Sequence, residues 1–247
     1  MNQKSSAYVA LGANLDDPER TLRLALTAIS EHPQLELVET SSFYRTKPVG
    51  GSPDQPDYCN AVIRIFSEMN PVATLRILQE IEDQLGRIRK KTWDARTVDL
   101  DLLAFDHQVM ASDQLLLPHP RMTVRQFVVN PFCEIAPDWV HPQLGWSMRE
   151  IQDHLIGFPR VVRLTEKQHG EIGYVHSWQA LQLIFQEQLP GWRLVSESEK
   201  ALFEVSSLGN FLADETWDCP RFYATDDDPE LCLEQLLATC RGLTDNS

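Results

Sequence analysis

The sequence predicts an α+β fold for residues 1–156, and two observations support this prediction. Segments with strand-like and helix-like periodicity follow the order strand, helix, strand, strand, helix, strand. Stretches rich in glycine, proline and small polar residues separate them. This order is typical of a ferredoxin-like (βαββαβ) antiparallel sheet with both helices packed on one face. Residues 157–247 predict a small C-terminal α/β unit, so we expect two domains, 1–156 and 157–247.

The first half of the pattern begins with a short buried strand at Tyr8–Gly12 that ends in a glycine turn. A helix is predicted to follow, because Asp17 suits the N-cap and Pro18 the first helical position. Its apolar residues recur at helical spacing: Leu22, Leu26 and Ile29. A second strand is predicted over residues 36–44.

The second half begins with a long polar loop, residues 46–57, whose length is typical of a mobile lid. Next we expect a strand at residues 58–66 and a helix at 71–86. After a basic loop, a second strand is predicted from residue 99 onward, a hairpin within 108–117 and a short helix at about 125–134.

The C-terminal extension has its own succession of short strands and amphipathic helices. Strands are predicted at 159–164, 193–196, 201–205 and 221–225, and helices at 177–189 and 230–241. The acidic triplet at 226–228 is explained by capping of the last helix, with a metal site as the alternative. We expect a homo-oligomer or protein partner to be bound through this extension, since it carries excess negative charge and apolar helices.

The composition argues against several classes of protein. The formal charge of −14 argues against nucleic acid as a partner. No apolar stretch reaches the roughly 18 residues of a membrane span, and the first residues lack a signal-peptide apolar region. The five cysteines are odd in number and lack zinc-ligand spacing, which favours free thiols and a cytoplasmic location.

A pair of carboxylates is the most informative feature of the sequence. Asp99 and Asp101 stand two residues apart in a strand-like run, so both side chains point to one face. Such a pair needs a cation between its members, a proton, or separate salt bridges. Oxygen ligands favour Mg²⁺, and salt bridges to Arg89 and Arg96 are the alternative. Five cations within residues 86–96 precede the pair and suit a polyanion bound with its metal.

Further short motifs accompany this pair along the chain. They lie at residues 12–14 (GAN), 42–46 (SFYRT), 54–60 (DQPDYCN), 86–89 (GRIR), 93 (W), 96–101 (RTVDLD), 118–119 (PH) and 132–137 (FCEIAP). In order and spacing, over about residues 7–155, this set resembles 6-hydroxymethyl-7,8-dihydropterin pyrophosphokinase. The resemblance implies a ferredoxin-like fold. It also implies transfer of diphosphate from ATP to the pterin 6-hydroxymethyl group, leaving AMP, in folate biosynthesis.

The resemblance further implies roles for individual residues. Two Mg²⁺ ions would be bound by Asp99 and Asp101, which would act in catalysis with Arg89 and Arg96. The ATP-binding residues would be Gln79, Glu82, Arg89, Arg96, His119 and Arg125. The pterin-binding residues would be Thr46, Val49, Tyr58, Asn60, Trp93 and Phe127. In the second set, aromatic rings would cover the pterin and an amide would bind its edge.

One loop departs from the family pattern. The family usually has Trp-Gly-Pro-Arg where this chain has residues 93–96 (WDAR), and Thr92 replaces a residue that is often basic. The loop therefore loses a cation and the backbone constraint of the glycine–proline pair. The alternative to an enzyme is a catalytically weak regulatory protein that binds pterin or nucleotide.

Overall fold

The computed structural model describes residues 4–48, 55–86, 97–157, 161–164, 187–189, 191–196, 203–207, 221–224, 233 and 235–241. Four residues with predicted roles lie outside these ranges: Val49, Arg89, Trp93 and Arg96. Three predicted features also lie outside them: the loop at 92–96 that differs from the family pattern, the acidic triplet at 226–228 and most of the helix predicted at 177–189.

The larger sheet is antiparallel and has helices packed on both of its faces. Its strands are β1 (Ser5–Ala13), β2 (Leu35–Thr40), β3 (Tyr44–Thr46), β4 (Tyr58–Ser67) and β5 (Asp99–Phe105). The helices are α1 (Pro18–Glu31), α2 (Pro71–Gln84), α3 (Gln126–Ile135) and α4 (Met148–Gly157), with a short 3₁₀ helix, η1, at Met122–Val124. The strand order is β2-β4-β1-β5, and β3 pairs with the remaining length of β4. The predicted α+β fold is confirmed.

The prediction of a single strand over residues 36–44 is wrong, because the chain there forms two strands, β2 and β3. Ser41 exchanges hydrogen bonds with Val62: its N–H donates to the Val62 carbonyl at 2.9 Å, and its hydroxyl accepts from the Val62 N–H at 3.0 Å. The Ser42 N–H instead donates to the Glu134 carboxylate at 2.9 Å. Side-chain acceptors therefore replace the regular strand ladder between the two strands.

The first two helices begin at side-chain caps followed by proline. The carboxylate of Asp17 accepts from the Arg20 N–H at 3.1 Å, as its predicted N-cap position requires. Asn70 caps α2 in the same way, accepting from the Ala73 N–H at 2.9 Å.

Within the described residues, no helix is both long enough and apolar enough to cross a membrane.

Alternation along the strands separates two buried layers. One layer lies under α1 and α2 and contains Val9, Leu11, Leu22, Ile29, Ile63, Ile65, Leu78 and Ile81. The other lies under α3 and α4 and contains Tyr8, Val62, Val128, Phe132, Met148, Ile151 and Leu155. Tyr8 stacks on Phe132 with ring centroids 4.3 Å apart, so the second face of the sheet carries α3 directly. A two-stranded hairpin, β6 (Met110–Ala111) and β7 (Leu116–Leu117), follows β5 as predicted.

The extension contains a four-stranded parallel sheet in the order β11-β10-β8-β9. Its strands are β8 (Val161–Leu164), β9 (Arg193–Ser196), β10 (Phe203–Ser207) and β11 (Arg221–Ala224), close to the four predicted positions. Buried residues of the extension join the layer under α3 and α4: Val162, Leu189, Trp192, Leu233, Leu236, Leu237 and Cys240. The buried layer is therefore continuous across residue 156, and the division into two domains stays a prediction.

Candidate active site

Glycine at position 12 lies at the centre of the site because β1 is the strand between β4 and β5. Gly12 pairs with Asn60 of β4 on one side and with Asp99 of β5 on the other. Residues directly opposite each other in an antiparallel pair share a face of the sheet. Asn60 and Asp99 therefore flank a position without a side chain, and a Cβ on Gly12 would lie 3.3 Å from Asn60 Oδ1. Asn60, which is predicted to bind the pterin, and Asp99, which is predicted to bind the metal, thus lie in one row across three strands.

The two aspartates occupy the face of β5 that lies toward α3. Leu100 between them is buried on the opposite face, in the layer under α1 and α2. Both aspartates are partly buried, and the Asp101 side chain keeps 40% of its exposure. Arg125 Nη1 lies 3.8 Å from Asp101 Oδ2, a distance that leaves the carboxylate available to another cation. The donor set fits Mg²⁺, which takes one or two carboxylates and completes its shell with water and phosphate oxygens. Within the described residues, no cluster of three acidic, histidine or cysteine side chains accompanies the pair.

A buried carboxylate anchors the strand that carries this pair. Glu82 of α2 is 1% exposed, and its Oε1 accepts a hydrogen bond from the Leu100 N–H at 2.6 Å. The predicted role of Glu82 in binding ATP stays a prediction. The hydrogen bond to Leu100 is a contact that the sequence did not suggest. Through it, the carboxylate fixes the backbone between Asp99 and Asp101. Gln79, one turn earlier on α2, is partly buried.

The imidazole of His119 is held as a neutral hydrogen-bond donor. Its Nδ1 accepts from the Arg121 N–H at 3.1 Å, so the ring proton of the neutral form is on Nε2. Removal of the ring from water, together with the nearby charges of Arg125 and Arg121, lowers the pKa of His119 to about 3, against the opposing effect of Asp99. The His119 N–H donates to the Leu103 carbonyl at 2.7 Å, which ties this segment to β5.

Of the predicted pterin residues, Thr46, Tyr58 and Asn60 lie on the neighbouring strands β3 and β4. Asn60 is 5% exposed, and its Nδ2 donates to Thr46 Oγ1 at 2.8 Å. Tyr58 pairs with Thr46 across β3 and β4, and it lies on the same face of β4 as Asn60. Phe127 stands at the start of α3, and the Arg125 guanidinium lies over its ring at 5.6 Å. Both aromatic residues are partly buried.

A second contact from α3 fixes β3 and has no counterpart among the predicted site residues. The carboxylate of Glu134 accepts from the Ser42 hydroxyl at 2.8 Å and from the Tyr44 hydroxyl at 2.9 Å. Burial and the adjacent Glu134 raise the pKa of Tyr44 to about 12, so the phenol remains a donor. Tyr44 of β3 pairs with Asn60 of β4. Glu134 therefore stabilises the strand whose Thr46 accepts from the side-chain amide of Asn60. The motifs at 42–46 and 132–137 were the available signal.

The part of the chain that carries the larger sheet matches a known protein family. The sequence model of the 7,8-dihydro-6-hydroxymethylpterin-pyrophosphokinase (HPPK) family matches residues 8–137. The chain belongs to the HPPK family. That match includes all the described residues with predicted roles, from Thr46 to Phe127, so the motif resemblance is confirmed at the level of the family.

Curated HPPK relatives match a similar share of the chain. The 2-amino-4-hydroxy-6-hydroxymethyldihydropteridine pyrophosphokinase of Haemophilus influenzae is 47% identical over 152 residues, which are 60% of this chain and 94% of that protein. The Bacillus subtilis protein of the same name is 42% identical over 130 residues, 53% of this chain and 77% of that protein. This chain therefore includes most of the length of both relatives.

Solved structures give the same fold. The wild-type HPPK-DHPS of Plasmodium falciparum, crystallised with SDX-DHP, has a TM-score of 0.52 at 13% identity. The aligned part is 87% of this chain and 58% of that one. At this level of identity the likeness supports the fold alone, and it agrees with an antiparallel sheet covered by helices.

Proposed function

We propose that this HPPK family member transfers diphosphate from ATP to the 6-hydroxymethyl group of 6-hydroxymethyl-7,8-dihydropterin, which yields AMP and the pterin diphosphate in folate biosynthesis. The row formed by Asn60, Gly12 and Asp99 carries the proposal. An amide that would suit the edge of a pterin and a carboxylate that would suit the metal of a nucleotide flank this glycine on one face of the sheet. Attack by an alcohol on a phosphoryl group depends mainly on such positioning and on neutralised phosphate charge.

The residues for the diphosphate donor come from β5, α2 and the segment before α3. Asp99 and Asp101 would hold two Mg²⁺ ions, which when bound would neutralise phosphate oxygens and acidify the substrate hydroxyl. His119 would donate from Nε2 to a phosphate oxygen, since its Nδ1 is already an acceptor for Arg121. Arg125 would contribute a guanidinium that can bind two phosphate oxygens at once.

Other residues stay proposals from the family pattern. Gln79 and Glu82 would contact ATP from α2. Arg89 and Arg96 would bind phosphate from the loop outside the described residues.

The pterin would occupy the face of the sheet next to β3 and β4. Asn60 would use the amide hydrogen and oxygen that remain after its bond to Thr46, since an amide can both donate and accept. Tyr58 and Phe127 would supply aromatic faces for the ring. Backbone groups near Val49 would bind the edge of the pterin, and Trp93 would close over the site and exclude water that could hydrolyse ATP.

An assay of AMP formation tests this function. The full-length protein is incubated with ATP, Mg²⁺ and the hydroxymethyl dihydropterin, and AMP and pterin diphosphate are separated chromatographically. We expect one AMP for each pterin diphosphate, and no AMP without the pterin. Binding of both substrates without AMP would instead support the regulatory protein that the altered loop at 92–96 suggests.

The cellular setting is part of the proposal. The buried thiols of Cys59 and Cys133 suit the reducing cytoplasm, where the substrates would be ATP and a small pterin. We propose no nucleic-acid or membrane partner. A homo-oligomer or protein partner of the extension stays a prediction.

A further inference from the structure

The extension contacts the segment that carries the predicted phosphate residues. Arg121 Nη2 donates to the Oε1 of Gln235 at 2.5 Å, and Gln235 is 2% exposed. Gln235 belongs to the helical segment 235–241, more than one hundred residues further along the chain. A hydrogen bond from a charged donor to a buried acceptor is among the stronger polar contacts.

The backbone of the same arginine sets the imidazole of His119. The Arg121 N–H donates to His119 Nδ1 at 3.1 Å, which fixes the tautomer and aims the Nε2 donor. Arg121 is thus held at two points: its guanidinium by the extension, and its backbone by the histidine. A shift of the Arg121 backbone would change the orientation of the His119 ring, because the N–H is the donor to Nδ1.

The residues that follow Arg121 are enclosed in the same way. Met122, Thr123 and Val124 of η1 are each at most 2% exposed. β11 of the extension lies against η1, and Met122 and Val124 share a buried layer with residues of the helical segment, including Leu236. The segment between His119 and Arg125 is therefore packed between α3 and the extension.

We propose that Gln235 is a positioning residue for the nucleotide: through Arg121 it fixes His119 in the orientation that binds ATP phosphates. This inference rests on the proposed function, because the site it serves is the ATP site. It gives the extension a role within its own chain. The effect is expected on ATP and not on the pterin, since His119 would bind ATP, whereas the amide of Asn60 donates to Thr46 of β3 at 2.8 Å.

Two substitutions in the full-length protein test the proposal. Gln235→Leu keeps a side chain of similar size and removes the oxygen that accepts from Arg121 Nη2. Gln235→Glu keeps an acceptor oxygen and is expected to restore the contact. The matched control is Gln188→Leu, since Gln188 accepts from Arg241 Nη2 at 2.7 Å wholly within the extension.

The measurements are the dissociation constant of ATP with Mg²⁺ by calorimetry and the KM of each substrate. We expect Gln235→Leu to weaken ATP binding about tenfold and to leave the KM of the pterin unchanged, as expected for one charge-assisted hydrogen bond. Gln235→Glu and Gln188→Leu should bind ATP like the wild type.

The outcomes separate this inference from the function on which it rests. Unchanged ATP affinity in Gln235→Leu, or an equal loss for both substrates, would overturn the positioning role. Failure of the wild type to form AMP would overturn the proposed function, while the ATP dissociation constants would still decide the role of Gln235.

Discussion

Glu82 and Leu100 connect α2 to the strand of the aspartate pair: the buried carboxylate accepts from the backbone N–H at 2.6 Å. The N–H belongs to the residue between Asp99 and Asp101, so the contact fixes both ends of the pair. A carboxylate buried this fully is costly unless hydrogen bonds offset its desolvation. The bond from the Leu100 N–H offsets part of this cost and fixes the β5 backbone at this point.

Replacement of Glu82 by leucine should therefore affect both stability and turnover. The Leu100 N–H would lose its buried acceptor, and we expect the free energy of unfolding to fall by about 1–3 kcal/mol. The kcat should fall as well, because the aspartates lose a fixed backbone. Urea denaturation and the AMP assay measure the two effects. Glu82→Gln keeps an acceptor and should be milder, and Glu80→Leu, at an exposed position of the same helix, should change neither quantity.

Gly12→Ala should weaken pterin binding selectively. The added Cβ would lie 3.3 Å from Asn60 Oδ1, so the amide must shift by a few tenths of an ångström. Because Asn60 would bind the pterin edge, we expect the KM of the pterin to rise severalfold while the dissociation constant of ATP stays the same. Gly157→Ala is the control, since a Cβ there meets no atom within 4 Å. An unchanged KM of the pterin in Gly12→Ala would contradict the assignment of Asn60.

Asp99→Ala should abolish turnover and leave pterin binding nearly intact. One of the two proposed Mg²⁺ ligands would be lost, whereas the row from Gly12 to Asn60 would keep its geometry. Activity is measured as a function of Mg²⁺ concentration, and pterin binding by fluorescence titration. Asp113→Ala removes an exposed carboxylate between β6 and β7 and should behave like the wild type. Substantial residual activity in Asp99→Ala at every Mg²⁺ concentration would refute the metal assignment.

Local patterns predicted most of the elements around the site. The Asp17 cap, the helix that starts at Pro71 and the strand of the aspartate pair follow from spacing and capping within a few residues. The division between β2 and β3 did not follow from them. It depends on Glu134, a residue some ninety positions away that accepts from Ser42.

The contacts that support the predicted site residues were also beyond sequence reasoning. The motif pattern predicted Asn60, Asp99 and His119 by type, and the placement of Asn60 and Asp99 on one face of the sheet follows from strand register. The bonds from Glu82 to Leu100 and from Gln235 to Arg121 join distant parts of the chain. Such pairs leave no periodic signal, because each is a single residue whose partner is set by the packing of whole elements.

His141 should make the stability of the fold depend on pH. It is 2% exposed, its Nδ1 accepts from the Leu144 N–H at 3.2 Å, and burial lowers its pKa to about 3. Between its ordinary pKa of 6.5 and this value, the unfolded chain binds a proton that the folded chain excludes. Stability contributed by this group is therefore complete above pH 6.5 and is lost as the pH falls.

The test compares the wild type with His141→Asn, whose side-chain oxygen can still accept from Leu144. As the pH falls from 6 to 4, the unfolding equilibrium constant of the wild type should rise more steeply than that of the variant. The difference is expected to be up to tenfold for each pH unit. Urea denaturation over this range measures the difference. Parallel curves for the two proteins would show that His141 is not the group responsible.

Leu236→Ala should destabilise α3 as well as the extension. Leu236 is 1% exposed and belongs to the buried layer that also contains Val128 and Phe132 of α3. Removal of its side chain leaves a cavity in that layer, at a cost of about 2–5 kcal/mol. Hydrogen exchange of the α3 amides measures the effect, and we expect faster exchange there than in the wild type. Leu24→Ala, at a side chain that is 48% exposed, is the control. Faster exchange confined to the extension would instead support two separately folded domains divided near residue 156.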